Sequence, residues 1–216
     1  MVFDVDGTLV DTNYFHTLAW WRAFREHGHV VPMARIHRLI GMGSDTLLED
    51  VLGRPDAAVD EAYSRHYHDF KDEIVPFEGA ADLLQAVADR GGAVVLATSA
   101  KPEDVDDLLE SIGAPEGVID HVTSSGDAEH SKPAPDIFQL AMEGACLDPD
   151  LVVVVGDSVW DVEAAAKAGV PCVGVLTGGI SEAELRDAGA VAVYPAVADL
   201  MADLGDGPLA VAFRSA

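Results

Sequence analysis

Lysine is nearly missing from this chain of 216 residues: Lys71, Lys101, Lys132 and Lys167 are the four, and the formal net charge is −25 at pH 7. With 13 Lys and Arg against 38 Asp and Glu, the chain is expected to bind neither nucleic acid nor an anionic membrane, both of which need a positive surface. Cysteine is scarce as well. Cys146 and Cys172 are too few for a disulfide framework, and they read as reduced, buried thiols of a cytoplasmic protein. No apolar run is long enough to span a membrane; "AVVLA" (93–97) and "LVVVV" (151–155) have the length of buried strands. The first residues enter a strand pattern with no basic stretch leading into an apolar one, so no secretory signal is expected. Internal repeats and low-complexity tracts are also absent. In so acidic a chain, a lysine inside a motif carries weight.

What is present is ample apolar material: 49% hydrophobic residues and a mean hydropathy of +0.17, enough for a packed core. After a short first strand, residues 12 to about 75 read as successive helices. One runs from about 13 to 27 and ends at Gly28. Pro32 starts a short one, Ser44 caps another, and Pro55-Asp56 opens a long one ending near Ile74. From residue 75 onward helices and strands alternate. Strands are expected at 93–98, 119–123, 151–156, 171–175 and 191–194. The helices between and after them are expected at 80–90, 103–112, 135–145, 159–168, 181–188 and 196–204. That alternation predicts an α/β fold: a Rossmann-like parallel-sheet core with an inserted all-helical cap. Residues 1–11 and 78–216 form the core and 12–77 the cap, with Asp11–Asn13 and Pro76–Glu78 as the crossings. The segment after residue 203 reads as a loosely attached tail.

Open parallel sheets bind ligands beyond the carboxyl ends of their strands. Collected there are Asp4 and Asp6 of "DVDGTLVDT", Thr98 and Ser99 of "LATSAK", Lys132 of "SKPAPDIF", and Asp157 and Asp161 of "GDSVWD". Four carboxylates converge with one lysine. At an effective dielectric near 20, each carboxylate pair about 4 Å apart costs roughly 4 kcal/mol before relaxation. A divalent cation offsets that cost, and a set of oxygen ligands at an open site suits Mg²⁺. Paired carboxylates also suit phosphoryl transfer: one accepts the phosphoryl group and the other moves the proton.

These four motifs, in this order, resemble those of the haloacid dehalogenase-like hydrolase superfamily, in its branch with a helical cap inserted after the first motif. The resemblance covers nearly the whole chain. It implies that Asp4 is the nucleophile, Asp6 the general acid/base, and Thr98 and Lys132 ligands of the phosphoryl group. It also implies Mg²⁺ held by Asp4, the Asp6 backbone carbonyl and Asp157, with Asp161 close by. The function expected is a Mg²⁺-dependent phosphatase acting on a small phosphorylated metabolite, with a monomer as the default state.

On the first cap helix, Tyr14, Leu18, Trp21 and Phe24 form one stripe, expected to be its buried face. His16 and Trp20 lie nearly opposite, which marks them as substrate-cleft candidates. "IGMGSD" (40–45) breaks the cap helices where related enzymes carry a specificity loop, so His37, Arg38, Met42, Ser44 and Asp45 are candidates for contacts there. Lys101 reads as a surface residue. An alternative is a sugar phosphomutase resembling β-phosphoglucomutase, whose hinge and first cap helix "DTNYFHTLAW" resembles. Against it, "GMGSD" lacks the arginine expected in that loop. A phosphometabolite sensor without catalysis is the remaining alternative.

Overall fold

The computed structural model describes residues 1–213. Six short strands form one fully parallel sheet: β1 (Val2–Phe3), β2 (Val95–Ala97), β3 (His121–Thr123), β4 (Val154–Gly156), β5 (Cys172–Val175) and β6 (Ala192–Tyr194), in the order β3-β2-β1-β4-β5-β6. β1 lies at the centre, with Val2 paired to both Val95 and Val154. The alternation of side chains along each strand feeds two apolar layers. Phe3, Leu96 and Val155 point into one with Leu83, Leu84 and Leu108, while Val2, Val95 and Val154 join Phe138, Ala164 and Ala165 in the other.

The helices follow the grammar of the sequence. Four come between β1 and β2: α1 (Asn13–Glu26), α2 (Met33–Leu39), α3 (Ser44–Leu52) and α4 (Ala57–His68). They have their own core of Phe24, Ile36, Leu47, Leu48, Val59 and Ala62. The chain leaves the sheet and returns side by side: Asp11 N donates to Val75 O at 3.0 Å and Phe77 N to Leu9 O at 2.9 Å. Around the sheet lie α5 (Ala80–Asp89), α6 (Pro102–Ile112), α7 (Asp136–Gly144), α8 (Val159–Ala168), α9 (Glu182–Ala188) and α10 (Val197–Leu200). None of the described helices is long and apolar enough to cross a membrane.

Five expectations need correction. The long cap helix stops at His68 and is followed by a separate 3-10 turn, Lys71–Glu73. The stripe of Tyr14, Leu18, Trp21 and Phe24 is not the buried face of α1. Tyr14 is 63% exposed, whereas His16, Ala19, Trp20, Ala23 and Phe24 are buried. The reason is α4, whose Tyr63 and Tyr67 stack on Trp20 and His16 with ring centroids 4.0 and 4.2 Å apart. The expected helix 196–204 gives way after Leu200 to 3-10 turns, and the segment beyond it is no loose tail. A 3-10 stretch, Gly207–Phe213, buries Leu209 beside Leu204 in the sheet's core layer; residues 214–216 of that expected tail lie outside the described residues. Of the two free thiols only Cys172 is buried; Cys146 is exposed.

Candidate active site

β1 ends at Phe3, but the ladder continues one step further, since Asp4 N donates to Val155 O at 2.9 Å. That bond sets the Asp4 carboxylate at the carboxyl end of the central strand, beside the place where the strand order reverses. Gly7 then turns the chain with φ +76°, and a Cβ there would collide with Asn13 and the Asp157 carboxylate. Glycine is required at this position both for its conformation and for the lack of a side chain.

Lys132 is wholly buried and bridges the end of β1 and the first turn of α8. Its Nζ donates to Asp4 Oδ1 at 2.5 Å and to Asp161 Oδ1 at 2.7 Å. Burial disfavours its charge, but the Asp161 and Asp4 carboxylates outweigh that and raise its pKa above the ordinary value. Asp161 is fixed from its other side by a capping box at the start of α8, where its Oδ2 accepts from Ser158 Oγ at 2.6 Å. Asp157 accepts from Asn13 Nδ2 at 2.8 Å, and Thr8 Oγ1 lies 3.1 Å from Asp157 and 3.2 Å from Asp4. Burial and the neighbouring Asp161 push the Asp157 carboxyl up to about 7 despite those hydrogen bonds. Burial likewise raises Asp4 well above the ordinary carboxyl range, although Lys132 opposes it.

Three buried carboxylates thus share one ammonium. Asp4, Asp157 and Asp161 each offer an oxygen within 4.8 Å of the others, and Asn13 Oδ1 is buried with no donor. An all-oxygen donor set with surplus negative charge and an orphaned acceptor fits a hard divalent cation.

The Asp6 carboxylate is engaged elsewhere. Its Oδ1 lies 2.9 Å from His16 Nε2 and accepts from Thr12 Oγ1 at 2.7 Å, while its Oδ2 accepts from Thr98 Oγ1 at 3.1 Å. Burial works against its charge, yet the facing His16 and these hydroxyls hold its pKa below the ordinary value. Tyr63 OH lies 2.8 Å from the other His16 nitrogen, Nδ1.

Above Asp4 and Asp6 opens a cavity of about 240 Å³, walled by His16, Trp20 and Tyr63 on one side and by Ser99 and Lys101 on another, with residues 40–45 as its roof. Thr98, Lys132, Asp157 and Asp161 stand behind that floor, buried. Met42, Ser44 and Asp45 line the cavity as well, but His37 and Arg38 do not. His37 Nε2 bonds to Gly178 O at 2.9 Å and Arg38 pairs with Glu184 at 2.9 Å, so both pin the cap to the core. Lys101 is a half-buried cavity residue rather than a surface one; its Nζ donates to Asp60 Oδ2 and Ser64 Oγ, each at 2.8 Å. Sequence reasoning also missed Thr8, Asn13 and Tyr63. Thr8 and Asn13 adjoin the first motif and were open to notice; Tyr63 carries no local signal.

The sequence profile of haloacid dehalogenase-like hydrolases matches residues 1–175. A phosphoglycolate phosphatase of Rhodospirillum rubrum is 31% identical over 95% of this chain and 89% of its own length. A validoxylamine A 7'-phosphate phosphatase of Streptomyces hygroscopicus subsp. limoneus is 28% identical over 82% of this chain and 84% of its own. Among solved structures, a hydrolase from Pseudomonas syringae superposes with a TM-score of 0.88 at 30% identity, covering 93% of this chain and 95% of that one. With its acidic strand ends, buried lysine and helical insertion all within the matched region, the chain belongs to the haloacid dehalogenase-like hydrolase family.

Proposed function

We propose that the protein is a Mg²⁺-dependent phosphatase that hydrolyses small phosphorylated metabolites in the cytoplasm, as a monomer, through a phosphoryl group carried on Asp4. The observation that carries this reading is the pair at the cavity floor: Asp4 tied to Lys132, and Asp6 two residues on, held by His16, Thr12 and Thr98. In this reading the Asp4 carboxylate attacks phosphorus, the ester P–O bond breaks, and the departing alcohol takes the proton shared between Asp6 Oδ1 and His16 Nε2, which lie 2.9 Å apart. Asp6 then takes a proton from a water that attacks the aspartyl-phosphate, releasing inorganic phosphate and restoring Asp4. Lys132 and the Thr98 hydroxyl stand close enough to the floor to stabilise the phosphoryl oxygens. Mg²⁺ held by Asp4, Asp157 and the Asp6 backbone carbonyl, with Asp161 beside it, supplies positive charge against the carboxylates and the phosphoryl group.

Residues 12–77 act as a cap that lifts to exchange substrate and seats to exclude water. Relatives named as phosphatases of phosphoglycolate and of validoxylamine A 7'-phosphate support hydrolysis of small esters. No arginine among the described residues lines the cavity, which favours water over a second sugar phosphate as acceptor and hence hydrolysis over a mutase reaction. The test is phosphate release from sugar phosphates, phosphoglycolate, nucleotides and polyol phosphates, with and without Mg²⁺. Turnover should need Mg²⁺ and fall by about a thousandfold or more in Asp4→Asn. A sugar bisphosphate intermediate without free phosphate would overturn the phosphatase in favour of the mutase.

A further inference from the structure

The cavity above Asp4 and Asp6 has an unusual balance of charge. Beyond the catalytic pair its lining carries Asp45, Asp104 and Glu129, and among the described lining residues the counterweights are Lys101 and His16. Neither is available to a substrate anion. His16 is bonded to Asp6 and Tyr63, and the Lys101 ammonium is held by Asp60 and Ser64 and sits 5.9 Å from the centre of the Tyr63 ring.

Two helices also open on the cavity at their N-termini: α3 through Ser44 and Asp45, and α6 through Lys101 and Asp104. A helix N-terminus carries roughly half a positive charge and by itself attracts anions. Here each first turn bears a carboxylate, Asp45 or Asp104, whose full negative charge exceeds it. Burial and the adjacent Glu103 raise the Asp104 carboxyl above its ordinary pKa, as befits a carboxylate short of a counter-charge. The wall also includes the stacked pair Trp20 and Tyr63, and aromatic side chains beside carboxylates suit an ammonium group.

We propose that this cavity selects phosphate monoesters whose alcohol portion carries an ammonium group over those whose alcohol portion carries a second anion. The proposal rests on the phosphatase reading for its orientation, with phosphate at the floor and the alcohol portion against the acidic wall. Asp45 and Glu129, both exposed at the rim, and the half-buried Asp104 set the preference.

The test compares three esters of nearly one size: phosphoethanolamine, propyl phosphate and phosphoglycolate, whose alcohol portions carry one positive, no and one negative charge. Each is measured as an inhibitor of p-nitrophenyl phosphate turnover with Mg²⁺ at low salt. Phosphoethanolamine should bind about tenfold more tightly than phosphoglycolate, a difference of about 1.4 kcal/mol, with propyl phosphate between them. In Asp45→Asn/Glu129→Gln the gap should shrink to about threefold or less, and 0.5 M NaCl should narrow it in the native protein. Phosphoglycolate binding as tightly as phosphoethanolamine, or a gap unmoved by the double substitution, overturns the proposal. If p-nitrophenyl phosphate is not turned over at all, it is the phosphatase reading that fails. Calorimetric titration of the same three esters then still ranks the cavity's charge preference.

Discussion

At the scale of single residues the site is governed by how few cations serve its carboxylates. Lys132, wholly buried, answers both Asp4 and Asp161. Lys132→Met leaves two carboxylates unpaired in a desolvated place, a loss of about 3–5 kcal/mol. Its melting temperature should therefore fall by on the order of 10 °C, read by differential scanning calorimetry without metal. Asp157 behaves in the opposite sense. Its folded pKa lies near 7, above the ordinary 3.8, so between those values the folded state holds more protons than the unfolded one. Stability is lost as pH rises through that window. Asp4, also raised, adds in the same direction, whereas Asp6, held low, contributes stability that is lost on acidification. In chelator, the native protein should lose melting temperature from pH 5 to pH 8. Asp157→Asn should flatten that decline and melt a few degrees higher at pH 8. It should also lose most of the rise that Mg²⁺ brings to the native protein. The carboxylates and Thr98 were legible because each sits in a short motif at or just beyond a strand end, where topology alone brings strands together, and Lys132 because it stands in a proline-rich motif just before α7. Lys101 was not legible, since its partners Asp60 and Ser64 come from another helix and no spacing along the chain announces them.

At the scale of elements, the cap loop is seated by close approach. The backbone at Gly43 is ordinary, with φ −71°, so its lack of a side chain matters for space alone: a Cβ there would run into Ser131. Nearby, Ser99 Oγ donates to Gly41 O at 3.3 Å. Gly43→Ala should hold the loop off the core, raising KM and lowering kcat while shifting the melting temperature by no more than a degree or two. Gly43→Ala/Ser131→Gly should recover most of the lost kcat/KM, measured by steady-state phosphate release; failure to recover would show that the loop is not limited by this contact. Helix α1 shows why the cap was less legible than the core. Apolar and aromatic side chains occur all round it, and the choice of buried face is made by α4, thirty or more residues further along. By contrast the bounds of α8 lie in its local sequence, since Ser158 caps it and Gly169 ends it.

At the scale of the whole molecule, a net charge of −25 repels itself in the compact state. Sodium chloride at 1 M screens charges beyond about 3 Å, so the melting temperature without divalent metal should rise by several degrees between 0.02 and 1 M NaCl. A flat or falling response would mean that surface pairs, such as Arg65 with Glu26, outweigh the repulsion. The same two-part architecture has an optical consequence. The chain has three tryptophans, Trp20, Trp21 and Trp160, and two of them stand where cap and core meet. The Trp160 indole, rooted in the core, donates to Arg38 O in the cap at 3.0 Å, and Trp20 forms the aromatic wall above Asp6. The cap movement proposed above would break the first contact and wet the second. Intrinsic fluorescence of the native protein should therefore change when substrate is bound if the cap moves, with no label attached, and Trp160→Phe should separate the signal of the seam from that of the cavity.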